Sequence, residues 1–144
     1  MQDQDCLFCK IASGVIPAKI VYEDDRVMAF LDILPRAPGH TMVIPKQHAP
    51  TLLALPDDEV APLFAAVKKV AALLAAALGP DGITIGINQG RASGQEVDHL
   101  HVHLMPRWHG DGGSSIQSVV HSGDRIPLAE VERKIKEAAA QHPS

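Results

Sequence analysis

Between residues 99 and 104, histidine and aliphatic side chains alternate without a break: His99-Leu100-His101-Val102-His103-Leu104. Alternation with period two marks a strand with unlike faces, so the three imidazoles are expected to point one way and the aliphatic set the other. The apolar face would seat the strand on a core and so fix the direction of the imidazoles. A strand over residues 99–105, closed by Pro106, is predicted on this basis. Three readings of the histidine face compete. Solvated polar faces are usually built from Thr, Lys or Glu instead. A single three-histidine metal site would have to draw together Cα atoms roughly 13 Å apart along a strand. The third reading divides labour, with one imidazole as a nucleophile toward phosphorus and its neighbours positioning groups or donating protons.

Around this run the pattern predicts a short helical turn over 6–13, ended by Gly14-Val15-Ile16-Pro17. A β-hairpin follows over 18–22 and 26–31, with Glu23-Asp24-Asp25 as its turn, and then a strand over 40–44. Pro56-Asp57-Asp58-Glu59 suits a helix start. Val60, Leu63, Phe64, Val67, Val70, Ala71, Leu74 and Leu78 then form one stripe of a long helix, stopped by Gly79-Pro80. A further strand is predicted over 83–88, a Gly- and Ser-rich loop over 107–123, and a last amphipathic helix on Leu128, Val131, Ile135 and Ala138. Hairpin, helix and further strands make an α+β fold with a mainly antiparallel sheet.

Two smaller features carry chemistry. The loop Asn88-Gln89-Gly90-Arg91-Ala92-Ser93-Gly94-Gln95 supplies glycines and amides that bring N–H groups close to a phosphate, or it is an ordinary connection. Cys6-Leu7-Phe8-Cys9 has the spacing of two thiolates on one tetrahedral zinc, with a redox pair as the alternative.

The run Gly94-Gln95-Glu96-Val97-Asp98-His99-Leu100-His101-Val102-His103-Leu104-Met105-Pro106-Arg107 resembles the signature of the histidine-triad superfamily. Ile16 to Asp25 resembles that family's first hairpin, Phe30-Leu31-Asp32-Ile33 its nucleoside pocket, and Gly39 to Lys46 its central strand. The likeness covers residues 6–107 in order and is greatest to the Hint-like bacterial branch.

The resemblance implies a five-stranded HIT-like sheet with one long, one short and one C-terminal helix, in a homodimer that joins two sheets. Residues 1–144 would be a single domain. Its activity would be cleavage at the α-phosphate of a purine nucleotide conjugate, a phosphoramidate or similar AMP compound, through a nucleotidyl-histidine. A dinucleoside polyphosphate hydrolase and a nucleotide-binding regulator are the alternatives. By likeness His101 is the nucleophile, His103 helps bind phosphate, and His99 and His40 complete the catalytic set. Asp32 matches the ribose-binding carboxylate, Asn88 and Gln95 the phosphate-holding groups, and Phe8, Ile11, Phe30, Leu31, Ile33 and Met42 the base site. His48 and His99 match the positions that join Cys6 and Cys9 in a structural zinc site, which the chemistry itself does not need. Glu96 departs from animal Hint proteins, which carry Ser there, and bears on the choice of substrate.

Charge and composition limit the partners. The formal net charge is −4, with no strongly basic stretch, so nucleic acid is not an expected partner. Lys68 and Lys69 interrupt the longest apolar stretch, so no membrane span is expected. The first residues lack an apolar leader, and two cysteines make no disulfide framework, so a cytoplasmic location is expected.

Overall fold

A computed structural model describes residues 3–122 and 125–142, so Met1, Gln2, Gly123, Asp124, Pro143 and Ser144 lie outside the described residues. The fold divides into two units, Met1–Gly113 and Ser114–Ser144. The first holds α1 (Leu7–Ala12), β1 (Ile20–Glu23), β2 (Val27–Leu31), β3 (Thr41–Pro45), α2 (Asp57–Leu78), β4 (Gly82–Gly86) and β5 (Val102–Arg107). The strands form one antiparallel sheet in the order β1-β2-β3-β5-β4.

Local chemistry explains the connections. Asp24 closes the β1–β2 turn: Oδ1 accepts the N–H groups of Arg26 and Val27, each at 2.8 Å, and Oδ2 accepts the Tyr22 hydroxyl. Gly39, at φ +85°, turns the chain into β3, and a Cβ there would run into Leu78. Gly79, at φ +59°, ends α2 and donates its N–H to the Ala75 carbonyl. Pro62 lies inside α2 and has no N–H to give to the Asp58 carbonyl. The Arg26 guanidinium donates to that carbonyl at 3.3 Å and takes the vacated place.

The sheet is covered on both faces, which is why β2 and β3 are buried along almost their whole length. Val27, Ala29, Val43, Leu100, Val102 and Leu104 join Leu63, Ala66, Val67, Val70 and Leu74 of α2 in one core. The alternate residues Met28, Phe30, Met42 and Ile44 join Phe8 and Ile11 of α1 in the other. Period-two alternation thus separates an α2 face from an α1 face.

Three expectations need correction. The last strand begins at Val102, not His99. Its pairing with β3 runs from Thr41 to Val43, opposite Leu104 to Val102, and Pro45 has no N–H to extend the ladder. Leu100 instead donates its N–H to the Ala49 carbonyl at 2.7 Å, so the chain stays extended and keeps its alternation. On α2, Phe64 and Leu78 are exposed rather than part of the buried stripe, and Ala66 takes a core position. Strand β4 ends at Gly86, short of the expected Asn88.

The second unit contains α3 (Leu128–Gln141), which matches the expected last helix. Its polar face carries three i,i+4 ion pairs, Glu130–Lys134, Glu132–Lys136 and Arg133–Glu137. The 107–123 stretch is not wholly a loop, since β5 runs to Arg107 and a single 3-10 turn forms at Ile116–Ser118.

Candidate active site

Because Leu100, Val102 and Leu104 face α2, the imidazoles between them face α1. His99 is fully buried, His101 nearly so and His103 half-buried. The ring centroids of His101 and His103 lie 5.0 Å apart, and the His103 ring is 5.2 Å from that of His40. Phe8 of α1 meets His101 edge-on at 5.2 Å and an interplanar angle of 89°. Phe30 meets Phe8 in a T-shaped contact at 5.4 Å, and Ile11 and Met42 complete an apolar wall beside the histidines.

Main-chain groups determine which nitrogen of each ring carries the proton. A carbonyl only accepts, so His99 donates through Nε2–H to Pro45 and His101 through Nδ1–H to His99, both at 2.7 Å. The neutral His101 ring therefore keeps its lone pair on Nε2. An N–H only donates, so the Arg36 amide, 3.1 Å from His40 Nδ1, makes that nitrogen the acceptor. His40 then donates through Nε2–H to His103 Nδ1 at 2.9 Å, which leaves His103 with its proton on Nε2. One ring presents a lone pair and its neighbour an N–H.

Burial disfavours the charged forms of His103 and His40. Burial pushes His103 down to about 4, helped by the fields of His101 and His40 and opposed by Asp32. Burial likewise lowers His40, against the pull of Asp32. Asp32 Oδ2 lies 3.7 Å from His40 Nε2, while Oδ1 accepts the Leu34 N–H at 2.9 Å. Main-chain bonds at 2.9 Å from Asp32 to His40 and at 3.0 Å from His40 to Ala37 close the loop that holds both side chains.

The second cluster comprises Cys6, Cys9, His48 and His99, whose donor atoms all lie within 4.8 Å of one another. His99 Nδ1 is 3.3 Å from Cys6 Sγ and 3.5 Å from Cys9 Sγ, and His48 Nδ1 is 3.4 Å from Cys9 Sγ. Tetrahedral zinc with ordinary bond lengths spaces sulfur and nitrogen ligands about 3.5 Å apart, so the donor set fits zinc. Burial pushes the Cys9 thiol up, helped by Cys6 and the field of Asp3 and opposed by the Asp3 N–H, against thiolate formation without a cation. Burial also pushes His99 down to about 4, which leaves Nδ1 a free donor.

The remaining expected residues differ in burial and in what they touch. Ile33 is 88% exposed and stands away from the Phe8 and Phe30 cluster, while Leu31 is half-buried. Gln95 is buried and its side chain is engaged: Oε1 accepts the Gly90 N–H, and Nε2 donates to the carbonyls of Pro50 and Val97. Gln95 thus shapes the Gly-rich loop, which Arg91 braces through the Gln95 carbonyl and Asp98. Asn88 is exposed at the start of that loop, close to Gly94. Reading side chains missed the Arg36 N–H and the Pro45 carbonyl, since main-chain roles leave no mark in residue identity.

A model of the HIT domain matches residues 13–110. The chain belongs to the HIT family. A HIT-like protein of Methanocaldococcus jannaschii is 49% identical over 91% of this chain and 98% of its own length. An adenosine 5′-monophosphoramidase of Schizosaccharomyces pombe is 42% identical over 71% of this chain and 74% of its own length. A zinc-bound histidine triad family protein of Mycobacterium smegmatis superposes with a TM-score of 0.71 and 39% identity, covering 95% of this chain and 94% of that one. The HIT fold, with its five-stranded antiparallel sheet, is therefore the architecture expected from the resemblance.

Proposed function

We propose that this HIT protein hydrolyses purine nucleoside phosphoramidates or related AMP conjugates at the α-phosphate, through a nucleotidyl-histidine on His101. One observation carries the reading: the His99 carbonyl holds His101 Nδ1–H and leaves the Nε2 lone pair free, beside His103 with its N–H available. The name of the Schizosaccharomyces pombe relative supports the phosphoramidate class.

In the first step His101 Nε2 forms a bond to the α-phosphorus as the bond to the leaving group breaks. The ring becomes cationic, and the carbonyl accepting Nδ1–H is placed to stabilise that charge. His103 offers Nε2–H to a phosphate oxygen or to the departing atom. In the second step water attacks phosphorus and gives up a proton to solvent, the P–N bond returns its electron pair to Nε2, and nucleoside monophosphate leaves. Asp32 accepts the ribose hydroxyls, Asn88 and the main chain around Gln95 hold phosphate oxygens, and the wall of Phe8, Ile11, Phe30 and Met42, with Leu31 and Ile33, takes the base.

Cys6, Cys9, His48 and His99 would hold a structural zinc ion, which supplies a cross-link between α1 and the catalytic segment. The zinc-bound Mycobacterium smegmatis relative supports this assignment. We further place the protein in the cytoplasm, where thiols persist as metal ligands. It acts as a homodimer, with residues 1–144 as one domain. The free edge of β4 and the exposed Phe64, Leu73 and Leu78 on α2 support pairing with a second copy.

The test is AMP release from adenosine 5′-phosphoramidate and from a dinucleoside polyphosphate, by wild type and by His101→Ala. Faster release from the phosphoramidate, lost in the variant, is expected. Preference for the polyphosphate would install the alternative substrate class. Nucleotide binding without turnover of either would indicate a regulatory binder.

A further inference from the structure

Asp3 touches two of the four zinc donors from outside. His48 turns Nδ1 toward Cys9, so a metal held there would leave the ring proton on Nε2, and that nitrogen lies 3.9 Å from Asp3 Oδ2. The main-chain N–H of Asp3 donates to Cys9 Sγ at 3.3 Å. Two more bonds fix the residue: Oδ1 accepts the Asp5 N–H at 2.9 Å, and the Asp3 carbonyl accepts the Cys6 N–H at 3.2 Å.

The other histidine of the set is supported in the same sense. His99 has the Pro45 carbonyl on the ring nitrogen that faces away from the sulfurs. Each histidine thus has an oxygen behind it, a carbonyl at hydrogen-bond distance for His99 and a carboxylate 3.9 Å away for His48. Outer acceptors of this kind orient the ring and raise its basicity toward a metal. A cation on Nδ1 makes Nε2–H a stronger donor, which draws the carboxylate inward. Two thiolates and zinc sum to no net charge, so the nearby carboxylate is not repelled.

We propose that Asp3 is the outer carboxylate of the metal centre. It positions His48 through its side chain and Cys9 through its main chain, and zinc binding fastens the segment ahead of α1 onto the fold. The inference rests on the zinc reading above. A solvent cleft of about 290 Å³ lined by Asp3, Gln4, Cys9, Lys10, Ser13 and Val15 lies beside these contacts, so the side chain can be changed without disturbing the core.

The experiment measures zinc affinity of the full chain by competition with a chromogenic chelator, for wild type, Asp3→Asn, Asp3→Ala and Asp3→Glu. Asparagine keeps the main-chain N–H and the local turn, and so isolates the carboxylate. Asp3→Asn and Asp3→Ala are expected to bind zinc about 10- to 100-fold more weakly, with Asp3→Glu recovering part of the loss. Zinc is also expected to slow amide exchange over residues 3–6 in wild type more than in Asp3→Asn. Wild type that binds zinc with an affinity Asp3→Asn matches within about twofold would overturn the role of Asp3 and leave the zinc site standing. Wild type that takes up no zinc would overturn both.

Discussion

The carbonyl oxygen of His99 lies 2.7 Å from Nδ1 of His101, so a single main-chain group joins the zinc donor set to the proposed nucleophile. The side chain of His99 faces the thiols and its backbone faces the next imidazole. Adjacent donors on one extended segment serve two clusters because the chain alternates. The expected consequence is that zinc stabilises more than it catalyses. Stripping zinc with a chelator should lower Tm, by about 4 °C for each kcal/mol lost in a chain of this size. It should reduce kcat far less than His101→Ala does. A metal-free enzyme as inactive as that variant would contradict a structural role.

His40 should act through His103. It receives the Arg36 N–H and passes its own Nε2–H to His103 Nδ1. His40→Ala removes the donor that keeps the His103 proton on Nε2, and kcat is expected to fall about 10²-fold with a smaller change in KM. His40→Gln restores an N–H donor toward His103 and should recover part of the rate. Steady-state kinetics of both variants check this.

Acid should destabilise the protein before it charges the site. His103 titrates near 4 in the fold and near 6.5 when unfolded. Between those values the unfolded chain binds a proton that the folded chain does not. Stability therefore falls as pH drops from about 6.5 to about 4, by on the order of 3 kcal/mol at full titration. His103→Asn should flatten that slope in denaturant titrations of the zinc-free protein, which removes the competing acid release of metal.

Neighbouring positions on α2 should behave oppositely. Leu63 is fully buried against the sheet, and Leu63→Ala is expected to cost about 2–5 kcal/mol in denaturant unfolding. Phe64 is 40% exposed, and Phe64→Glu should leave the fold intact while dissociating the proposed homodimer in light scattering. A wild type that is already monomeric would contradict the dimer.

The site was most legible where side-chain type and spacing carry the information. Alternation at 99–104 set the two faces even though the ladder stops at Val102. The CxxC spacing pointed to a metal pair and the family resemblance added His48 and His99, and the four donors lie together because the sheet brings His99 beside α1. What stayed hidden depends on the main chain or on distant partners. The Arg36 amide and the Pro45 carbonyl set proton positions without any requirement on their side chains. The Arg26 guanidinium that compensates for Pro62 lies 32 positions in sequence from the Asp58 carbonyl it meets. The exposure of Ile33, apolar beside the pocket motif, was likewise not legible, since residue type alone does not show which apolar side chains the fold covers.

The most direct measurement is acid-quenched mass spectrometry of the enzyme during turnover of adenosine 5′-phosphoramidate. The account predicts a transient adduct of one AMP moiety on the peptide that carries His101, absent in His101→Ala. Turnover with no adduct at any quench time, or an adduct that persists in His101→Ala, would contradict nucleotidyl transfer through that imidazole.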